Sequence, residues 1–212
     1  MALGLRTHRP LIQASSHLIS AGHNLAAVAG YDMLESGGNA TDAGVAAGLV
    51  LNVVLPQFTN FGGVAPILVY DNKRNEAKSI TGLGNWPQAA SIEYFNTHHN
   101  GTLPKGILRT VMPSAADAWL TALRIYGTKS FEEVSAAAIR IAKSGFPIHH
   151  SLHNLFVKYE DKNSLDFSIR QWASTEKIFY KDGKTLEAGD ILVQPDLART
   201  FERLVVAEQS CN

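Results

Sequence analysis

Cysteine is nearly missing from this 212-residue chain: there is one, Cys211. A lone thiol forms neither an intrachain disulfide nor a cysteine-built metal site, so packing must hold the fold together. Net charge is missing as well. The 19 Lys and Arg are cancelled by 19 Asp and Glu, and no block of one sign gives a footprint for nucleic acid or a polyanionic tail. No apolar run reaches the ~20 residues of a bilayer-spanning helix, since the stretch from Ala43 to Leu55 stops short of that. The opening MALGLRTHRP has basic residues but no apolar core before a cleavage site. No secretory leader, no membrane association and a cytoplasmic location are therefore expected. On that footing the acceptor patterns Asn39-Ala40-Thr41 and Asn100-Gly101-Thr102 are coincidences. Charged residues are scarce, 18% against 45% hydrophobic, which is more apolar than an ordinary soluble domain. The surplus means either extra buried surface or a face awaiting a partner.

The most telling stretch is LESGGNATDAGVAAGLVLNVVLPQFTNFGGVAPILVYD, residues 34–71. Ahead of it, residues 24–36 place apolar side chains at helical spacing, and Gly37-Gly38 supplies the left-handed stop. Asn39 or Thr41 can cap a second helix over about residues 40–53, with Asp42 near its positive end. That helix is rich in Ala and carries Gly44 and Gly48; interior glycine costs about 1 kcal/mol against alanine. Close backbone approach is the return, so burial against a sheet is expected, with Pro56 as the stop. Residues 64–70 and 77–81 read as strands of a hairpin joined by the polar DNKRNE, the first apolar on both faces and so expected to be covered on both. A short strand is expected at 11–17, and helices at 114–126, 130–144, 149–163 and 194–206, with Pro195 suited to a first turn. FYKDGK, residues 179–184, reads as a hairpin turn.

Five segments in order, SGGNATDAGVAAGLVLNVVLP, FGGVAPILVYD, VMPSAADAW, AAAIRIAKSGFPI and GDILVQPDLARTFERL, resemble the gamma-glutamyltransferase family across Ser15 to Leu204. Any one alone would be weak; the ordered set is specific. The resemblance implies an α+β fold, the four-layer αββα sandwich of N-terminal-nucleophile hydrolases, incomplete in this chain alone. Residues 1–212 would form the large-subunit part of that single domain. It further implies a self-cleaving precursor, a Thr nucleophile freed at the start of a small subunit with its own α-amine as base, no cofactor and no metal, and a heterodimer that can pair into a dimer of heterodimers. The substrate would be a small amide, and the reaction hydrolysis or acyl transfer.

Two departures shape the expectation. The family's nucleophile opens a T-T-H-like segment downstream of the Q-P-D-L-A helix, and this chain has no Thr-Thr pair. Thr200, followed by Phe201, falls inside an amphipathic helix. No catalytic residue is therefore expected in this chain. Secondly, glutathione-using members carry D-x-R-E-x-x-P, whose Arg grips the glutamyl α-carboxylate bidentately. Aligned on Pro87, this chain has Leu83 and Gly84 there. The Gly82-Leu83-Gly84 form is similar to the amidohydrolase-type branch, which includes oxamate amidohydrolase, although Asn85 stands where a basic residue is usual. The expected substrate-binding set is Gly82, Leu83, Gly84, Asn85, Trp86 and Arg109, with Gly62 and Gly63 as pocket backbone.

Each of these also has a plain structural meaning. The glycines of residues 62–63 serve packing and pocket lining equally well, Trp86 can wall a pocket or fill a core, and an arginine such as Arg109 is more often a surface residue. His149 and His153, at i and i+4, have a metal-ligand spacing. With no acidic third ligand placed beside them, a helix-surface cluster is the commoner meaning. Ser15-Ser16-His17 is similar to a structural S-x-H segment of the family. A non-catalytic truncated paralogue that binds a partner or small ligand is the alternative from another class.

Overall fold

Helix α1 (Asn24–Glu35) and helix α2 (Ala40–Val54) are joined by Ser36–Asn39, with Gly37 at a φ of 84°. In the computed structural model, which describes residues 11–104, 106–160 and 172–211, α2 is the centre of the molecule. Asn39 accepts from the amides of Thr41 and Asp42, and Asp42 returns a bond to the Asn39 amide, a reciprocal cap that fixes where the helix starts. Most of its length is buried on every side, as an all-round apolar helix demands. It packs on α1, on α4 (Ala115–Tyr126) and on α5 (Phe131–Ser144). The expected sheet contact is therefore replaced by helices. At Gly48 a Cβ would strike the Trp119 ring of α4, so that glycine does permit close approach; Gly44 faces open space instead.

The hairpin forms as expected, β1 (Ile67–Asp71) against β2 (Glu76–Ile80), with Ile67 opposite Ile80 and Asp71 opposite Glu76. The Asp71 carboxylate accepts the Lys73 amide in the turn, and Asn75 takes a left-handed conformation there. One face, through Ile67 and Ile80, packs on Trp119 beside a small cluster of Ala65, Ala115 and Ala118. The other does not meet the expectation of cover: Leu68 is 76% exposed and Tyr70 59%. Helix α4 reaches one side, and none of the described residues covers the second.

Beyond β2 the chain makes α3 (Ile92–His99), capped by Ser91 and with no buried residue, and a 3-10 turn at Ile107–Arg109. After α5 come β3 (Phe146–Pro147), α6 (His150–Glu160), α7 (Ala173–Phe179), the β4–β5 hairpin (Tyr180–Lys181, Lys184–Thr185), β6 (Ile191–Leu192) and α8 (Pro195–Cys211). The β4–β5 turn at Asp182 and Gly183, both at positive φ, matches FYKDGK. The Phe146–Leu192 pairing of β3 with β6 buries both side chains and returns α8 onto α5. Burying each such side chain is worth ~1.5–3 kcal/mol. No strand forms at 11–17: Leu11 and Ile12 are 83% and 74% exposed, with no neighbouring strand to pair with. The architecture is α+β; among the described residues, helices cover one face of the β1–β2 hairpin and leave the opposite face open.

Candidate active site

Three backbone segments converge at the end of the hairpin nearest α4. The first is the Thr59–Ala65 loop that leaves α2 after Pro56. Its Gly63 carbonyl accepts the amides of both Ser114 and Ala115, each at 2.9 Å, and so satisfies two of the donors that a helix start leaves open. The second is Thr81–Pro87. The Gly82 carbonyl accepts the Ala65 amide at 2.9 Å, and Gly82 itself has a φ of 52°; a Cβ there would overlap the Ala65 carbonyl. The third is Val111–Ser114, where a Cβ on Gly84 would overlap the Met112 carbonyl oxygen. Both glycines of the Gly82-Leu83-Gly84 triplet are therefore dictated by backbone contact.

Gly62, Gly63, Gly82, Leu83 and Gly84 thus come together, as the sequence reading groups them. Gly62 is exposed and has room for a side chain, whereas Gly63 lies close to Asn60. The glycine contacts leave Leu83 outward, 58% exposed, and the adjoining segments expose Met112 at 53% and Val64 at 43%. Asn85 is exposed, and Trp86 is half exposed with its ring edge-on to Phe95 of α3 at 6.5 Å. These three segments frame a mouth; no ionisable side chain occurs in residues 59–66, 81–92 or 110–116, so its wall offers peptide groups, amides, hydroxyls and apolar surface. Arg109 lies on the 3-10 turn, exposed, and its guanidinium donates to the Leu103 carbonyl at 3.0 Å. The structure does not join it to the Leu83–Trp86 segment by any hydrogen bond.

The hydroxyls nearest the sequence argument are committed elsewhere. Thr200 donates back to the Asp196 carbonyl within α8, and Thr110 to the Ile107 carbonyl. His149 and His153 point at different backbone groups, the carbonyls of Val54 and Leu186, at 3.2 and 3.0 Å. The His17 Nε2 lies 2.9 Å from the Glu35 carboxylate of α1, consistent with a structural role.

Sequence reading missed two features. Along β1 runs a groove of about 970 Å³ floored by Thr41, Gly44, Trp119, Ile125 and Tyr126. Gly44 with room beside it was the local signal, disguised as a packing glycine. Close to the site loop, both amide atoms of Gln57 are buried without a hydrogen-bond partner among the described residues, and so is the indole N–H of Trp119. Buried polar atoms in native proteins almost always find a partner.

Residues 26–210 match the sequence profile described as Gamma-glutamyltranspeptidase. The chain is 31% identical over 191 residues to the glutathione hydrolase proenzyme of Bacillus subtilis (strain 168), covering 87% of this chain and 31% of that one. It is 28% identical over 197 residues to the glutathione hydrolase proenzyme of Escherichia coli (strain K12), covering 91% and 33%. The chain therefore spans about a third of the length of these curated relatives. Among solved structures, the Helicobacter pylori gamma-glutamyltranspeptidase superposes with a TM-score of 0.80 at 27% identity, over 94% of this chain and 56% of that chain. The fold is thus that of the N-terminal-nucleophile hydrolase sandwich, and the described residues account for part of it.

Proposed function

The chain belongs to the gamma-glutamyltranspeptidase family, and from that premise we propose that it is the large-subunit part of an amide hydrolase or acyltransferase whose Thr nucleophile is carried by a separate small subunit. The observation that carries this reading is the hairpin beside the mouth. In the described residues β1 is paired on one edge only, and its outer face exposes Leu68 and Tyr70. Exposed apolar surface next to a free strand edge is what an interface looks like before its partner arrives. The unpartnered amide of Gln57, at the root of the site loop, supports the same conclusion.

In this scheme the partner's Thr hydroxyl attacks the carbonyl of a small amide while its α-amine takes the proton; the C–N bond then breaks, the α-amine returns that proton to the departing nitrogen, and the acyl group stays on the Thr oxygen as an ester. Water or an acceptor amine then releases the acyl group. This chain contributes the wall of Gly62, Gly63 and Gly82–Trp86. The uncharged lip at Leu83 favours a substrate without the α-carboxylate that a bidentate arginine would hold. The relatives' names describe proenzymes, which supports maturation by precursor cleavage, although a split gene would yield the same pair of chains. No cofactor enters this chemistry.

Intact-mass analysis of the native complex tests the proposal. A second polypeptide beginning with Thr is expected, together with amine release from a small amide. A stable, well-folded monomer that releases nothing would reject it in favour of the non-catalytic paralogue. Arg109 is the remaining candidate for anion binding at this wall. Arg109→Ala should weaken binding of anionic amides several-fold and leave neutral amides unaffected. Equal losses for the two classes, or none for either, in competition assays would remove Arg109 from the site.

A further inference from the structure

Two helices in this molecule are capped by histidine, a residue outside the usual Ser, Thr, Asp and Asn set. His23 precedes α1, and its Nδ1 accepts the Leu25 amide at 3.2 Å. His149 precedes α6, and its Nδ1 accepts the Leu152 amide at 3.2 Å while Nε2 lies 3.2 Å from the Val54 carbonyl at the end of α2. The two rings face each other with centroids 5.6 Å apart, and Phe146 closes the site edge-on to His23 at 6.4 Å. We propose that His23 and His149 form an acid-sensitive joint, in which two neutral imidazoles cap α1 and α6 and pin the end of α2, and in which protonation releases the caps.

The hydrogen bonds fix the chemistry. Nε2–H of His149 donates to Val54, which leaves Nδ1 as the acceptor for Leu152 and assigns the neutral tautomer. A further proton on either ring must go to Nδ1, the atom that holds the helix amide. Protonation therefore converts an acceptor into a donor facing an N–H, and places a positive charge at the positive end of a helix. Two imidazolium rings at this separation also repel.

Among the described residues, the surroundings supply no rescuing anion. The first turn of α1 has no acidic residue, the last turn of α2 no basic one, and β3 presents Phe146. On α6, His150 is exposed, and the Glu187 carboxylate lies 3.5 Å from Nε2 of His153, the far residue of that first turn. Gln194, bonded to the Val53 carbonyl beside the joint, is neutral. Burial first, and His149 second, hold the His23 imidazole below its ordinary value. The folded state then binds a proton less readily than the unfolded chain. Stability is complete above the unfolded value of about 6.5 and is lost as pH falls through the lower folded value. Because α2 leads directly into the loop bearing Gly62 and Gly63, acid loosens the root of the mouth.

The test is equilibrium unfolding of the full chain, with any subunit it is purified with, between about pH 7.5 and 5.5. His23→Asn keeps a capping oxygen but cannot titrate. Across that range the wild-type unfolding constant should rise about fivefold more than that of His23→Asn, the equivalent of one cap. Equal pH slopes would overturn the joint. Hydrogen exchange at the Leu25 and Leu152 amides, corrected for intrinsic rates, should accelerate on acidification in the wild type more than at the start of α5. Protection that does not change would count against it. Should the variant fail to fold, ring-proton titration of the wild type decides: a His23 midpoint at or above the ordinary histidine value of about 6.5 overturns the proposal.

Discussion

Asp42 is buried, and its two carboxylate oxygens accept four bonds: from the Asn39 amide at 2.7 Å, the Thr128 amide at 2.9 Å, the Thr128 hydroxyl at 2.7 Å and the Lys129 amide at 3.2 Å. Burial by itself would raise its pKa. The hydroxyl of Thr128 and the three amides outweigh that and hold the carboxyl below its ordinary value. A carboxyl depressed in this way contributes stability above the unfolded value of about 3.9, and the contribution is lost as pH falls through the folded value. Asp42→Asn removes the charge and sets an NH2 group against donors. It should cost about 3 kcal/mol in urea unfolding at neutral pH, with the gap to wild type closing in acid. A gap that is the same at both pH values would mean the carboxylate is not the stabilising group. The residues of the mouth work differently. Gly82 and Gly84 act by having no side chain, and their effect is to turn Leu83 outward.

Helices in this molecule are ended by local signals and tied together by distant ones. The Asn39–Asp42 cap, Gly127 after α4 and the turn at Asp182-Gly183 are adjacent in sequence, which is why these boundaries were readable there. Ser130 and Glu133 make a second reciprocal cap at α5. The same helix start is also held from outside, because the Glu208 carboxylate of α8 accepts the amides of Phe131 at 2.7 Å and Glu132 at 3.1 Å. A negative group there complements the helix dipole. Glu208→Ala should lower stability by about 1 kcal/mol and raise hydrogen exchange at the first turn of α5; unaltered exchange there would refute the tie. Nothing in the local sequence announces such a bond, nor those of Gln194 and His149 to the end of α2. Helix α3 escaped sequence reading for another reason: with no buried residue it has no apolar stripe to show. The expected strand at 11–17 has no strand partner among the described residues.

At the scale of the whole molecule, the ordered motifs named the family and grouped Gly62, Gly63 and Gly82–Gly84, yet could not show why those residues belong together. The reason is a set of main-chain contacts, Gly63 with the start of α4, Ala65 with Gly82, and Gly84 with Met112. Backbone-to-backbone contacts leave no pattern of side-chain types beyond glycine itself. Arg109 was placed by proximity in sequence, and the structure shows it turned to Leu103. The apolar surplus is divided between the nearly sealed α2 and a hairpin face that the described residues leave exposed.

The meeting of Gly84 with Met112 has a further effect. The chain departs at residue 85, makes α3 and the 3-10 turn, and returns at residue 111 to the point it left, closing a loop whose neck is fixed by main-chain crowding. A segment that hangs from such a neck can change in length without moving Gly84 or Met112, so the exposed α3 beyond the Trp86 wall is where this scaffold has freedom to acquire a new recognition element.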